Sequence, residues 1–367
     1  MKKMISAAMA LAMAFSLTAC GQSTASSAVS VAASSAAVSS EAAASSQAES
    51  EAAAFPVTVT DQAGREITIN QEPKKIASGY YISTSALIAL GAQNRMAGIE
   101  ENADQRAIYK LSAPELIDLP SIGSAKAFNV ENCAEVEPDL VILPLKLQTA
   151  AELLVEMGIQ VLYVNPESEQ DLEYMITMLG QATGTSEKAE QLLAFTEETG
   201  YSLAGMLEEK LTDTSLVPSV YIAGNSDLLS TAGGQMYPSS MVELAGGSNV
   251  AAELEDTYWA DVSYEQLLAW DPDWIVLTSD ASYTADDVLQ DANLADCTAV
   301  KEGHVVQMPG DVEAWDSPVP SGVLGSVWLA GRMHPDAVSE EYVNSTIENF
   351  YQTFYGFDYA EATRENN

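Results

Sequence analysis

From about Phe55 onward, short apolar runs alternate with longer segments of helical period, and this spacing sets the elements. Residues 57–60 and 66–69 alternate apolar with polar on either side of Asp61-Gln62-Ala63-Gly64-Arg65, which predicts a β-hairpin. Residues 73–78 start the first parallel strand, 83–90 predict an apolar helix closed by Gly91, and 96–99 predict another strand. A helix over 148–157 ending at Gly158, a strand over 160–164 and a helix over 169–179 follow. Residues 185–211 lack proline and carry Leu192, Leu193, Phe195, Met206 and Leu207, which predicts one long helix that Gly200 and Gly205 weaken locally. Beyond it, strands at 219–223 and 304–308 and helices leading to Leu244, over 321–333 and over 339–354 complete an α/β pattern.

One unit occurs twice. Glu131-Asn-Cys-Ala-Glu-Val-Glu-Pro138-Asp139-Leu-Val-Ile-Leu143 returns as Glu265-Gln-Leu-Leu-Ala-Trp-Asp-Pro272-Asp273-Trp-Ile-Val-Leu277. Each copy is a helix-compatible run opened by a glutamate, a Pro-Asp that disfavours further helix, and a buried parallel strand. The separation is too long for a solenoid and suits one compact lobe per copy. A carboxylate at each helix start faces solvent where the helix terminus favours negative charge. Two acidic knobs, one per lobe, suit a partner with two basic sockets.

The N-terminus adds localisation. Lys2 and Lys3 precede an apolar stretch ending in Leu17-Thr18-Ala19-Cys20, a secretory signal too short to span a bilayer as a stable helix. Its end resembles the bacterial lipobox, which implies removal of residues 1–19 and lipidation of Cys20. Residues 22–54 are almost wholly Ser, Ala, Val, Gln and Glu and cannot bury a core, so they predict a flexible tether reaching roughly 30 Å.

Charge and cysteine usage narrow the classes. A formal net charge of −38 excludes nucleic acid as a partner and leaves the lipid alone to hold the chain at a membrane. Cys133 and Cys297, one per lobe, read as buried small apolar residues. Only two histidines occur, His304 and His334, so a bare-metal receptor with converging histidines is disfavoured. No nucleophile elbow, phosphate loop or histidine metal motif is present, and Glu131 and Glu265 lie on separate lobes, too far apart for paired acid and base work. An enzyme is therefore disfavoured. A bare-ion receptor, a surface adhesin or scaffold, and an enzyme on the same fold remain as alternatives.

Lipobox, tether, Val59-Thr60-Asp61-Gln62-Ala63-Gly64-Arg65-Glu66-Ile67, Pro73-Lys74-Lys75-Ile76, Asn129-Val130-Glu131, Leu244-Ala245-Gly246-Gly247-Ser248-Asn249, Val262-Ser263-Tyr264-Glu265 and Trp328-Leu329-Ala330 together resemble the solute-binding proteins of ABC importers for ferric siderophores, haem and cobalamin. The resemblance implies two Rossmann-like lobes (55–184 and 212–358) joined by one linking helix (185–211), a ligand cleft between them, and a tail over 359–367. It implies an extracytoplasmic, lipid-anchored monomer with no cofactor of its own, which carries a metal chelate to a permease dimer. Glu131 and Glu265 would be the glutamates that pair with permease arginines.

For the pocket, the resemblance implies Trp259, six residues before Glu265, and the loop 311–318 with Trp315, where some members have arginine. Tyr80, Tyr81, Lys126, Phe128, Lys146 and Tyr237 lie on loops expected to face the cleft. Scarce arginine disfavours a strongly anionic catecholate chelate and favours a flatter corrinoid or haem, whose ring would stack on aromatic faces.

Overall fold

A computed structural model describes residues 55–254 and 258–364. The predicted signal peptide, Cys20 and the tether lie outside the described residues.

The N-terminal lobe opens with the hairpin β1 (Val57–Thr60) and β2 (Glu66–Ile69), paired antiparallel. Asp61 fixes its turn: its carboxylate accepts the Ala63 and Arg65 amides and the Arg65 guanidinium. Then follow β3 (Ile76–Ser78), α1 (Tyr81–Ala89), β4 (Met96–Gly98), α2 (Ala107–Ser112), α3 (Val130–Glu135), β5 (Leu140–Pro144), α4 (Gln148–Glu156), β6 (Gln160–Val164) and α5 (Glu169–Thr183). The four strands pair in parallel in the order β4-β3-β5-β6. The buried run Leu140 to Leu143 shows why they do so: a strand covered by helices on both faces is apolar at every position.

Helix α6 (Ser186–Leu211) crosses to the second lobe and runs unbroken through Gly200 and Gly205. It buries Leu192, Leu203 and Leu207 and leaves its charged face in water.

The second lobe contains β7 (Ser219–Ala223), β8 (Ser230–Ala232), α7 (Tyr237–Leu244), β9 (Ser248–Asn249), β10 (Trp259–Asp261), α8 (Tyr264–Trp270), β11 (Trp274–Leu277), α9 (Ala285–Leu289), α10 (Thr298–Glu302) and β12 (Val305–Gln307). Its centre is parallel, β7-β11-β12, and β8 and β10 extend it antiparallel on the other side of β7. Helices α11 (Val323–Met333), α12 (Glu340–Phe354) and α13 (Tyr359–Arg364) end the chain. Residues 359–364, expected within a tail, instead form α13, whose Tyr359 stacks on Tyr351 at 5.0 Å.

A single apolar core runs from the hairpin through α1, α5 and α6 into α7, α11 and α12. Each sheet has a smaller cluster on its other face, one centred on Cys133 and Val141, the other on Leu267 and Ile275. Both cysteines are free and buried, as expected.

Candidate functional site

The duplicated unit is the clearest feature of the two lobes. Asn129 and Ser263 cap α3 and α8, each side chain accepting the amide three residues on, from Asn132 at 3.0 Å and Gln266 at 3.2 Å. Glu131 and Glu265 follow at the second helical position, both exposed and in the first turn. Cys133 and Leu267 sit two residues further on and are fully buried. Backbone amide and Ser263 hydroxyl bonds hold the Glu265 carboxyl below the usual range, so it is ionised. Each helix then ends near a left-handed residue, Glu137 at φ 49° and Asp271 at φ 43°, before Pro-Asp.

Between the lobes lies the cleft. On its N-lobe side a hollow of about 570 Å³ is lined by Tyr80, Tyr81, Glu100, Arg106, Lys126 and Lys146 among others. A second hollow, about 340 Å³, shares Tyr81, Gln105 and Arg106 with the first and is closed on the C-lobe side by Ser279, Asp280, Asp311, Glu313 and Ser317. Tyr80 and Tyr81 meet edge to face at 5.3 Å, and the Arg106 guanidinium lies 4.4 Å from the Tyr81 ring centre.

Buried carboxyls support these walls. Glu100 accepts from the Thr84 hydroxyl at 2.7 Å and the Tyr109 hydroxyl at 2.6 Å. Glu313 accepts from the Ser321 hydroxyl. Burial pushes both carboxyls above the ordinary range, and Arg106 is the cation that pulls each of them partly back.

Four of the eight residues predicted for the pocket therefore come together: Tyr80, Tyr81, Lys126 and Lys146. Two others are corrected outright. Trp315 is 1% exposed, donates its indole N–H to the Tyr351 hydroxyl at 2.8 Å and packs on Tyr359, so it is a core anchor. Tyr237 is 6% exposed at the start of α7 and lines a tight hollow among α5, α6 and α7 rather than either cleft hollow. A Cβ at Gly322 would collide with its hydroxyl, so the ring is locked in place.

Phe128 and Trp259 line neither cleft hollow. Phe128 is half-buried against the cluster around Cys133, and Trp259 is exposed on β10 at the sheet edge. Both histidines are structural. His304 stacks on Trp274 at 4.3 Å, and His334 is buried with Nε2 3.1 Å from the Gly246 carbonyl.

Arg106, Glu100, Ser279 and Glu313 line the cleft without having been singled out in the sequence. Glu313 falls in the loop 311–318; Glu100 and Arg106 lie in residues 100–128, which carry Pro114, Pro120 and Gly123 and little period, and nothing pointed to Ser279. Among the described residues no group of three or more His, Cys, Asp or Glu side chains is placed to hold a metal ion, and no helix is long and apolar enough to cross a membrane.

The chain is similar to known solute receptors. The molybdate-binding protein MolA of Haemophilus influenzae is 25% identical over 327 residues, covering 82% of this chain and 91% of that protein. A cobalamin-binding protein of Halobacterium salinarum is 26% identical over 297 residues, covering 77% and 75%. The crystal structure of a periplasmic solute-binding protein from Veillonella parvula superposes with a TM-score of 0.70 at 26% identity, covering 84% of this chain and 95% of that one. These are binding proteins of transport systems and not enzymes. The family model described as periplasmic binding protein matches residues 76–312, and with its two lobes, linking helix and inter-lobe cleft this chain belongs to that family, the class III solute-binding proteins of ABC transporters.

Proposed function

We propose that this protein captures a metal chelate in the inter-lobe cleft and delivers it to the permease dimer of an ABC importer, held at the outer face of the membrane by lipid on Cys20. Among corrinoid, haem and ferric siderophore, the reading favours a corrinoid or haem macrocycle.

The observation that carries it is the pairing of the Tyr80 and Tyr81 rings with Arg106, Lys126 and Lys146 around one hollow. Aromatic faces suit a flat ring, and cations suit its peripheral polar groups. Glu101, Asp280 and Asp311 line the same cleft and equal those cations in number, which opposes a multiply charged catecholate or a bare oxyanion. The cobalamin-binding relative supports the corrinoid side of the reading. Glu131 and Glu265, exposed at matching positions of the two lobes, serve as the docking pair.

Calorimetric and visible-absorbance titration of the purified protein tests the ligand class, with cobinamide, haem, a ferric catecholate and molybdate as probes. Saturable one-to-one binding of cobinamide or haem is expected. Binding of the catecholate or molybdate alone would overturn the reading.

A further inference from the structure

Five buried side-chain polar atoms among the described residues lack a hydrogen-bond partner, and three of them lie together at the C-lobe wall of the cleft: Thr278 Oγ1, Ser279 Oγ and Asp316 Oδ1. The backbone there is well anchored. The Thr278 amide donates to the Ala223 carbonyl at 3.1 Å, the Gln307 side-chain Nε2 donates to the Ser279 carbonyl at 3.3 Å, and Asp316 Oδ2 accepts the Ser279 backbone amide at 3.2 Å. Ser279 lines the inter-lobe hollow and Asp316 stands directly behind it, 8% exposed. Unpaired oxygens on so fixed a frame carry a desolvation penalty unless something else bonds to them.

Gly310 on the facing loop also lines the hollow, and a Cβ on it would lie 2.8 Å from the Ser279 Cβ. The missing side chain leaves the Ser279 hydroxyl room to turn. Burial raises the Asp316 carboxyl above the ordinary aspartate range, the Ser279 side chain and amide beside it pull it partly back, and the Asp280 charge adds to the rise.

We infer that Ser279, oriented by Asp316, is a recognition subsite for a hydrogen-bond-donating group on the ligand, such as a peripheral carboxamide. Ser279 Oγ is itself buried, so when ligand enters the side chain swings Oγ toward the hollow, into the space that Gly310 leaves, and gives its hydrogen to Asp316 Oδ1, with its lone pairs left to the hollow. A carboxamide N–H fits those lone pairs, whereas a carboxylate meets oxygen facing oxygen. Ser279 is the contact and Asp316 the positioning residue. This rests on the chelate reading and deepens it, because it separates a ring edged with carboxamides, as in corrinoids, from one edged only with carboxylates, as in haem.

The test compares cobinamide with its derivative hydrolysed to peripheral carboxylates, on wild-type protein and on Asp316→Asn, Ser279→Ala and Gly310→Ala. Wild type is expected to prefer the amide form by about tenfold to a hundredfold, the range of a hydrogen bond strengthened by a charged group. Asp316→Asn presents an amide to Ser279, turns its hydroxyl into a donor toward the ligand, and should narrow or reverse the preference. Ser279→Ala should abolish the preference with unchanged thermal stability or a small shift, and Gly310→Ala should abolish it at a cost in stability, because the new Cβ must displace the Ser279 Cβ. An identical preference in wild type and Asp316→Asn overturns the subsite alone. Failure of wild type to bind either corrinoid overturns the chelate reading, and the carboxamide subsite with it.

Discussion

Asp139 and Asp273 perform one task in the two lobes: each carboxylate reaches across to the start of the neighbouring strand and accepts its backbone amides. Asp139 takes the Lys74 and Lys75 amides at 2.9 and 3.0 Å ahead of β3. Asp273 takes the Ser219 amide at 2.8 Å and its hydroxyl at 2.7 Å at the head of β7. The Pro-Asp pair is thus a strand clamp, and the same geometry that ends the helix sets the register of the parallel pair beside it. Replacing either aspartate by alanine should cost about 1–3 kcal/mol in urea unfolding, as for amides deprived of a charged acceptor. A loss below a few tenths would remove the clamp from the account.

Trp315→Ala should destabilise the fold by about 3–5 kcal/mol, since it empties a fully buried site beside Tyr351 and Tyr359. Ligand affinity of the folded fraction should not change. A tenfold loss of affinity with full stability would return Trp315 to the pocket. Tyr81→Ala should behave oppositely, lowering affinity at least tenfold with a modest stability cost, because its ring lines both cleft hollows.

That contrast shows what the sequence carried and what it did not. The hairpin, the strands β3, β5, β6, β7 and β11, and α6 were legible because burial on one or both faces imposes a period on residue type. The matching exposed glutamates Glu131 and Glu265 were legible because the unit occurs twice. Strands β8 and β10 were not, since three residues each, Ser230–Ala232 and Trp259–Asp261, are too short to show alternation. An aromatic beyond a strand end does not reveal which way it points: Tyr81, the first residue of α1, faces the cleft, and Trp315, in the loop 311–318, faces the core. Arg106 lay unnoticed in the same way, within a stretch that has no period. Ser279 and Asp316 matter through bonds they lack, which only coordinates expose.

The buried carboxyls give stability a definite pH slope. Glu100 and Glu313 have folded-state pKa values raised by burial, so between the ordinary carboxylate range and those raised values the native state binds more protons than the unfolded chain. Their contribution is full below the unfolded pKa and is lost as pH rises through the folded one. Urea midpoints measured from about pH 4 to about pH 8 should therefore fall with rising pH, beyond the decline due to surface repulsion. Glu100→Gln and Glu313→Gln should each flatten that decline. A slope unchanged from wild type in both variants would show that these groups do not titrate in this window.

Helix α6 carries Gly205 with open space where a Cβ would stand. Gly205→Ala should stabilise the protein by about 1 kcal/mol through helix propensity alone. If the lobes move through bending of this helix, ligand association rates would change as well; an affinity and rate equal to wild type would assign closure to the loops of the cleft.

Glu131 and Glu265, exposed at the second position of α3 and α8, are the centre of the account, because the docking proposed for them would join binding in the cleft to transport. The most direct measurement is uptake and ligand affinity taken together on the doubly substituted Glu131→Ala, Glu265→Ala protein, expressed with its own permease. Uptake should fall to background while the dissociation constant stays within about twofold of wild type, since exposed carboxylates orient a partner and do not touch the cleft. Uptake at the wild-type rate with both acids removed would contradict it.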